Sequence, residues 1–198
     1  MRQMGYTTPE MIEQLKKMLG QKRFEHSLSV MGEAKRLAGI HGVDTEKAAV
    51  AGLLHDCMMD VEGKDVLLAC EKYNVEVSEI ERRQPELLHG ALGAKAVKEI
   101  FGVSDAEIAE AIRRHTTGGA GICNLALAKV VFVADYIEPG RRMEGVKQIR
   151  AEADRDLDSA MLLILENTIY YIIGKKAFIH PDSIDARNEI LMRLSGKE

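Results

Sequence analysis

The chain has 198 residues, of which 46% are hydrophobic and 29% are charged, and its formal net charge at pH 7 is −4. This length fits one well-filled core, and glycine, proline and serine are too sparse for a long disordered linker. The negative net charge excludes the global basic field that attracts DNA or an anionic membrane, so neither is expected as a partner.

Apolar residues recur at three- and four-residue steps along nearly the whole chain. This periodicity predicts an all-α fold, a helical bundle forming a single domain over residues 1–198. Thr8 and Pro9 are typical of an N-cap and a first-turn proline, so we expect a helix within residues 1–20 that packs on the rest of the domain. A second helix is expected to end near Gly42.

Capping residues and helix-stopping residues define the other predicted helices. Asp44 predicts the N-cap of a third helix, whose apolar body leads directly into the pair His55-Asp56. Ser78-x-x-Glu81 and Ser104-x-x-Glu107 are capping boxes that open later helices. The remaining predicted helices cover residues 64–73, 78–84, 88–101, 104–115, 125–137, about 156–171, and a segment after Pro181.

The cysteines and the N-terminal segment bear on the cellular compartment. Cys57, Cys70 and Cys123 form no Cys-x-x-Cys pair, which argues against a disulfide framework and a thiolate zinc site. The first 20 residues alternate charged and apolar side chains and lack the apolar segment of a signal peptide. Lys129 interrupts the apolar segment 125–134, so no stretch is expected to reach membrane-spanning length. These features predict a cytoplasmic protein.

Three polar side chains stand in strongly apolar surroundings. His55 and Asp56 end an apolar helix, and Asp135 has apolar neighbours on nearly every helical face. Burial of such groups is costly without compensation. An arginine or a helix N-terminus could compensate Asp135, whereas one divalent cation would compensate all three groups. The sequence therefore predicts a metal site formed by four side chains: His26, His55, Asp56 and Asp135.

Two imidazoles and two carboxylates suit iron, manganese, cobalt or zinc better than magnesium or calcium. A cation held in this way keeps positions open for a phosphate oxygen and a water, which favours hydrolysis at phosphorus. Negative charge that develops on the phosphate oxygens then needs fixed cations and donors. The alternative for each basic residue is a solvated surface position. The candidates are Arg23, His89, His115, Thr116 and Arg141.

The order of these motifs resembles the HD-domain superfamily of metal-dependent phosphohydrolases. The closer resemblance is to the YqeK-type HD proteins, the symmetrical bis(5'-nucleosyl)-tetraphosphatases, and it covers nearly the whole chain. It rests on six segments: RFEHSL (23–28), AGLLHD (51–56), LLHGALGA (87–94), AIRRHTTG (111–118), FVADYIEPGR (132–141) and IHPDSIDARN (179–188).

The resemblance implies that the four predicted ligands bind an iron-type cation and that diadenosine tetraphosphate is cleaved symmetrically into two molecules of ADP. It implies catalytic roles for three residues, Asp56, His89 and His115. We expect His89 and His115 to contact phosphate, with ligation of a second metal as the alternative. The segment 174–180 is expected to clasp the nucleotide through Lys175, Lys176 and His180.

Two departures from the family pattern bear on substrate preference more than on catalysis. Met59 stands where the family often has the lysine of an HDxxK pattern, and Gly119 and Ala120 carry no charge after the HTTG segment. One alternative is therefore a broader nucleotide phosphohydrolase or phosphodiesterase. Another is a sensor that binds a purine nucleoside diphosphate without turnover. Apolar faces on the first and last helices fit either a monomer or a homodimer.

Overall fold

The computed structural model describes residues 9–61 and 64–196, and within these residues it contains α-helices and two short 3-10 helices but no β-strand. The all-α prediction is confirmed. The 3-10 helices cover Pro85–Leu87 and Ile122–Asn124. The α-helices of the described residues are α1 Pro9–Met18, α2 Gln21–His41, α3 Thr45–Leu54, α4 Lys64–Tyr73, α5 Glu79–Arg83, α6 Leu88–Phe101, α7 Ala106–Arg114, α8 Ala126–Ile137, α9 Val146–Ala153, α10 Leu157–Gly174 and α11 Pro181–Ser195.

The centre of the bundle is formed by α2, α3 and α8. Every residue of 48–54 in α3 and of 127–134 in α8 is buried, and all of these residues except Lys129 are apolar or glycine. Gly52 lets α3 approach α2 closely, since a Cβ atom there would lie 3.0 Å from the Val30 carbonyl oxygen and from the Ala34 Cβ. This close crossing brings the end of α3 next to the first half of α2.

Most predicted helix starts are confirmed. The Asp44 side chain caps α3, and Ser78 and Glu81 form the predicted capping box of α5. The predicted box at Ser104 is wrong, because the Asp105 carboxylate caps α7 by accepting from two backbone N–H groups. Aspartate caps as well as serine does, and its charge also favours the helix N-terminus. The predicted Thr8 cap lies outside the described residues.

Two features of the C-terminal half differ from the sequence prediction. The first is α9, which lies between the predicted helices 125–137 and 156–171, where the sequence analysis predicts no helix. α10 corrects the expectation about membrane-spanning length, since by length and composition alone Leu157–Gly174 could cross a membrane. A third of this helix is buried, and it packs against α8, α9 and α11. Its first half is therefore a core helix of the bundle.

Candidate metal centre

The structure brings together all six histidine and aspartate residues predicted to act at the metal. His26 lies on the second turn of α2, and His55 and Asp56 follow the last residue of α3. Asp135 comes from the last turn of α8. His89 opens α6 and His115 ends α7, so five helices contribute to the cluster. Convergence from such distant segments is a property of the bundle and not of any local motif.

The first part of the cluster contains the four predicted metal ligands. The Nε2 atom of His26 lies 2.9 Å from Oδ1 of Asp135 and 3.9 Å from Oδ2 of Asp56. The Nε2 atom of His55 lies 3.2 Å from Oδ2 of Asp56 and 3.8 Å from Oδ1 of Asp135. Ligand atoms of His26, His55 and Asp135 all fall within 4.8 Å of one another, a spacing that suits a single ion.

Asp56 connects this group to a second one. Its other oxygen, Oδ1, lies 3.3 Å from Nε2 of His89 and 3.5 Å from Nε2 of His115. These two nitrogen atoms are 2.9 Å apart, and the Thr116 hydroxyl lies 3.2 Å from the first and 3.0 Å from the second. Thr116, predicted as a substrate contact, is therefore part of the cluster.

The protonation of three histidines follows from their backbone contacts. Each Nδ1 atom faces a carbonyl oxygen three residues earlier, at 2.7 Å for His55, 2.5 Å for His89 and 2.7 Å for His115. A carbonyl oxygen can only accept a hydrogen bond, so Nδ1 carries the proton and a neutral ring leaves a lone pair on Nε2. The facing nitrogens of His89 and His115 then repel each other unless a cation lies close by.

His26 and His55 give a direct test of whether a cation fits. Both Nε2 atoms are fully buried and have no partner in acceptable hydrogen-bond geometry among the described residues. Burial lowers the pKa of His26, but the 2.9 Å contact with the Asp135 carboxylate and the charges of Asp135 and Asp56 raise it by more, so the net shift of this pKa is upward. A positive charge is therefore favourable at this position. The donor set fits a divalent metal ion.

Both carboxylates are ionised and paired with arginine. Burial raises the pKa of Asp56, but contacts with His55, His115 and His89 hold that pKa well below its usual value. The pKa of Asp135 is lowered as well. Arg23 Nη1 donates to Asp56 Oδ2 at 2.7 Å, and Arg141 Nη2 donates to Asp135 Oδ1 at 2.8 Å. The sequence left an arginine and a cation site as alternative partners for Asp135. The structure places both Arg141 and the histidines of the candidate cation site beside this carboxylate.

Glu138 is a member of the site that the sequence analysis missed. Its carboxylate is 5% exposed, its Oε1 lies 3.3 Å from Nδ1 of His26, and its Oε2 accepts from the backbone N–H of Gly140 at 2.5 Å. Glu138 thus takes the place at His26 that carbonyls take at the other histidines. In the sequence, Glu138 stands three residues after Asp135, a spacing that places both on one helix face. The adjacent Pro139 and Gly140, however, indicate only the end of a helix at this point.

Arg150, on the helix that was missed, fixes the loop between α8 and α9. Its guanidinium donates to the carbonyl oxygens of Ile137 and Glu138 at 2.8 Å and of Arg141 at 3.2 Å. These contacts hold Glu138 beside His26 and Arg141 beside Asp135. The missed helix therefore supports the candidate site through one side chain.

Lys175, Lys176 and His180 are not brought to the cluster. Nδ1 of His180 caps α11, and its other nitrogen lies 3.8 Å from a carboxylate oxygen of Glu81. The Lys175 ammonium lies 5.5 Å from the ring centroid of Tyr171, and both lysines are exposed. The clasp role of this segment stays a prediction. Met59 is half-buried and supplies no charge near the cluster.

Comparison with known proteins agrees with this cluster. The model of the HD-domain family matches residues 23–140, a range that runs from Arg23 through all six histidine and aspartate residues. Two similar proteins are named symmetrical bis(5'-nucleosyl)-tetraphosphatase. The one from Halalkalibacterium halodurans is 34% identical over 91% of this chain and 95% of its own length, and the one from Bacillus subtilis is 36% identical over 85% and 89%.

A solved structure is similar over almost the full length. It is a crystal structure of a protein from Clostridium acetobutylicum that is described as a predicted HD superfamily hydrolase involved in NAD metabolism. The TM-score is 0.90 at 41% sequence identity, and the match covers 96% of this chain and all of the other. The similarity therefore extends to α1, α9, α10 and α11, which lie wholly or partly outside the residues matched by the family model.

Proposed function

This chain belongs to the HD-domain family, and from its relationship to the symmetrical tetraphosphatases we propose that it is a metal-dependent hydrolase of diadenosine tetraphosphate. The reaction consumes one water, breaks one P–O bond of the central P–O–P linkage in the tetraphosphate bridge and releases two molecules of ADP. One observation carries the proposal: buried imidazole lone pairs and two ionised carboxylates face one another without enough donors, an arrangement that a divalent cation compensates.

In this proposal His26, His55, Asp56 and Asp135 hold the cation. A divalent metal at these ligands supplies Lewis acidity and an activated water. We propose iron as the native ion, with manganese, cobalt or zinc as substitutes, because nitrogen and carboxylate ligands suit these metals. The chain's own cations, Arg23 and Arg141, lie against the two carboxylates, where they can also bind oxygens of the phosphate bridge. They thereby keep one of its two inner phosphates at the cluster.

His89 and His115 are better suited to hold a second cation than to donate to phosphate. With Nδ1 protons committed to carbonyl oxygens, a neutral Nε2 can only accept, and two Nε2 atoms 2.9 Å apart cannot both carry a proton. We therefore propose a second ion between them and Oδ1 of Asp56. The Thr116 hydroxyl, which can rotate, is the neighbouring phosphate donor.

We expect the His115→Gln variant to bind one metal ion per chain where the wild-type protein binds two, because the second group loses an imidazole ligand. Metal content after iron loading and gel filtration measures this directly by mass spectrometry. His41→Gln is the matched control, since within the described residues the ring of His41 hydrogen-bonds to the Ala153 carbonyl oxygen, away from the cluster. A wild-type content of one ion would return His89 and His115 to the role of phosphate contacts.

Glu138 orients His26, so its removal should weaken metal binding without removing a ligand. For Glu138→Ala we expect a 10- to 100-fold weaker metal affinity, the usual effect of losing a carboxylate that holds a metal-binding histidine. Glu138→Gln keeps an acceptor for Nδ1 and should lose less. Titration calorimetry of the metal-free protein with Mn²⁺ gives both affinities. Equal affinities for wild type and Glu138→Ala would contradict the orienting role.

Product analysis tests the proposed function itself. Purified protein is incubated with diadenosine tetraphosphate and iron under reducing conditions, or with manganese or cobalt, and the products are separated by chromatography. ADP as the sole early product is expected. AMP with ATP, or activity only on other nucleotides, would favour the broader phosphohydrolase. Nucleotide binding without turnover under every metal would favour the sensor. The named relatives favour neither alternative.

We further propose that the chain acts as a single domain in the cytoplasm, with a small dinucleoside polyphosphate as its ligand and without nucleic acid or membrane partners. The exposed surface supports either a monomer or a homodimer. Light scattering during gel filtration, at several protein concentrations, distinguishes these two states.

A further inference from the structure

Two cavities adjoin the loop that follows α8. The first, of about 930 Å³, lies between this loop and the start of α2, and we call it the basic cavity after Lys22, Arg23, Arg141 and Arg142 in its wall. The second, of about 970 Å³, lies between α9, α10 and the end of α8. Both volumes are typical of ligand sites. Arg141 and Met143 line both cavities and so form the ridge between them.

The second cavity, which we call the aromatic cavity, has the chemistry of a site for a nucleobase. Tyr136 in its wall directly follows Asp135, and Leu163, Asn167 and Tyr171 are spaced four residues apart on one face of α10. The opposite wall is α9, which contributes Gln148. Tyrosine rings offer stacking surfaces for any base.

Hydrogen-bonding groups in the aromatic cavity are available to a ligand. The side-chain amides of Gln148 and Asn167 make no hydrogen bond with any residue of the described parts of the chain. Each amide offers both donors and an acceptor, which match the edge of a purine. Because the Tyr171 ring lies beside the Lys175 ammonium, a phosphate or ribose near this edge would also meet a positive charge.

The basic cavity has a different character. His26 in its wall connects it directly to the proposed metal centre, and Arg142 forms no ion pair within residues 9–61 and 64–196. Three carboxylates also line this cavity, but each is already engaged. Glu25 accepts from Gln21, Asp60 accepts from the backbone of Gly20, and Glu138 contacts His26. Four basic side chains against three carboxylates leave this wall with a small excess of positive charge, which favours an anionic ligand.

We propose that the two cavities hold the two halves of the dinucleotide, an inference that rests on the proposed function. The aromatic cavity binds the purine base of one half, the basic cavity receives the other half, and the tetraphosphate crosses the ridge at Arg141. Symmetrical cleavage requires equal lengths of substrate on either side of the cluster. Cavities of similar volume on both sides of Arg141, whose guanidinium touches the proposed ligand Asp135, meet this requirement.

A pair of adjacent tyrosines tests the base site. Titration calorimetry on manganese-loaded protein measures the affinities for ADP and for inorganic pyrophosphate. Tyr171→Ala should weaken ADP binding by about 5- to 100-fold, the range for loss of a base-stacking ring, and leave pyrophosphate binding unchanged. Tyr170→Ala is the matched control, because this neighbouring tyrosine is as exposed as Tyr171 but lies outside the cavity wall. Equal ADP affinities for the two variants would overturn the assignment, as would an equal loss of pyrophosphate affinity.

The Arg142→Ala variant tests whether the basic cavity receives the other half of the dinucleotide. We expect the KM for diadenosine tetraphosphate to rise about threefold or more, as for loss of a charged contact to phosphate, while the ADP affinity stays that of the wild type. Lys147→Ala, an exposed charge outside both cavity walls, is the control. A KM equal to that of the control would overturn this half of the proposal. A different result, a wild-type protein that releases no ADP from the dinucleotide, would contradict the proposed function itself.

Discussion

The Asp56→Asn variant should lose at least about 1,000-fold in kcat/KM for diadenosine tetraphosphate, the scale of loss when a residue at the centre of a catalytic group is removed. Asp56 touches more of the cluster than any other side chain does within the described residues. One oxygen faces His55 and Arg23, and the other faces His89 and His115. The substitution therefore removes a carboxylate from both proposed ion sites in one step.

The variant should nevertheless fold. An asparagine amide can donate to imidazole lone pairs that now face a carboxylate, so the melting temperature of the metal-free variant should not fall below that of the metal-free wild type. The increase in melting temperature on adding Mn²⁺ should be lost, because this increase reports binding to the native state. Asp65→Asn, on the exposed face of α4, is the matched control. An Asp56→Asn protein that keeps both turnover and the metal-induced increase would rule out the proposed centre.

The predicted ligands could be found from the sequence because burying them is costly. His55, Asp56 and Asp135 interrupt apolar helices, and a charge in such surroundings demands a partner that a linear pattern can reveal. What the pattern could not reveal is how the partners are oriented. The contacts of His55 and His115 with carbonyl oxygens depend on where α3 and α7 end, and the role of Glu138 depends on a loop that Arg150 holds from another helix.

Neither α9 nor the aromatic cavity could be predicted, because the sequence carries no strong local signal for either. α9 is short and its charged residues follow a glycine-rich loop, so its local signals are weak beside the proline and glycine stop that precedes it. The aromatic cavity is formed by three helices that are separate in sequence. Tyr136 and Tyr171 are unremarkable singly, and only the packing of α10 against both α8 and α9 places them in the wall of one cavity.

Lys129 shows how a polar residue in an apolar helix can have a structural partner. The sequence analysis treated it as an interruption of the segment 125–134, whereas its ammonium is buried and donates to Asp158 Oδ1 at 2.5 Å. Arg193 Nε lies 3.4 Å from the other oxygen of Asp158. Lys129, Asp158 and Arg193 are not among the residues that form the metal centre, so we expect this network to bear on stability and not on activity.

Asp158→Ala should therefore lower the free energy of unfolding by about 3–5 kcal/mol, because it leaves the Lys129 ammonium buried without its carboxylate. For a chain of this size that corresponds to a fall in melting temperature of roughly 10 °C. Replacing both partners, as in Lys129→Met with Asp158→Leu, removes the buried charge together with its partner and should recover most of the loss. Arg155→Ala is the control, since its pair with Glu152 is exposed and contributes at most about 1 kcal/mol. Urea unfolding measures all three variants, and a double variant no more stable than Asp158→Ala would show that packing, rather than the buried charge, determines the loss.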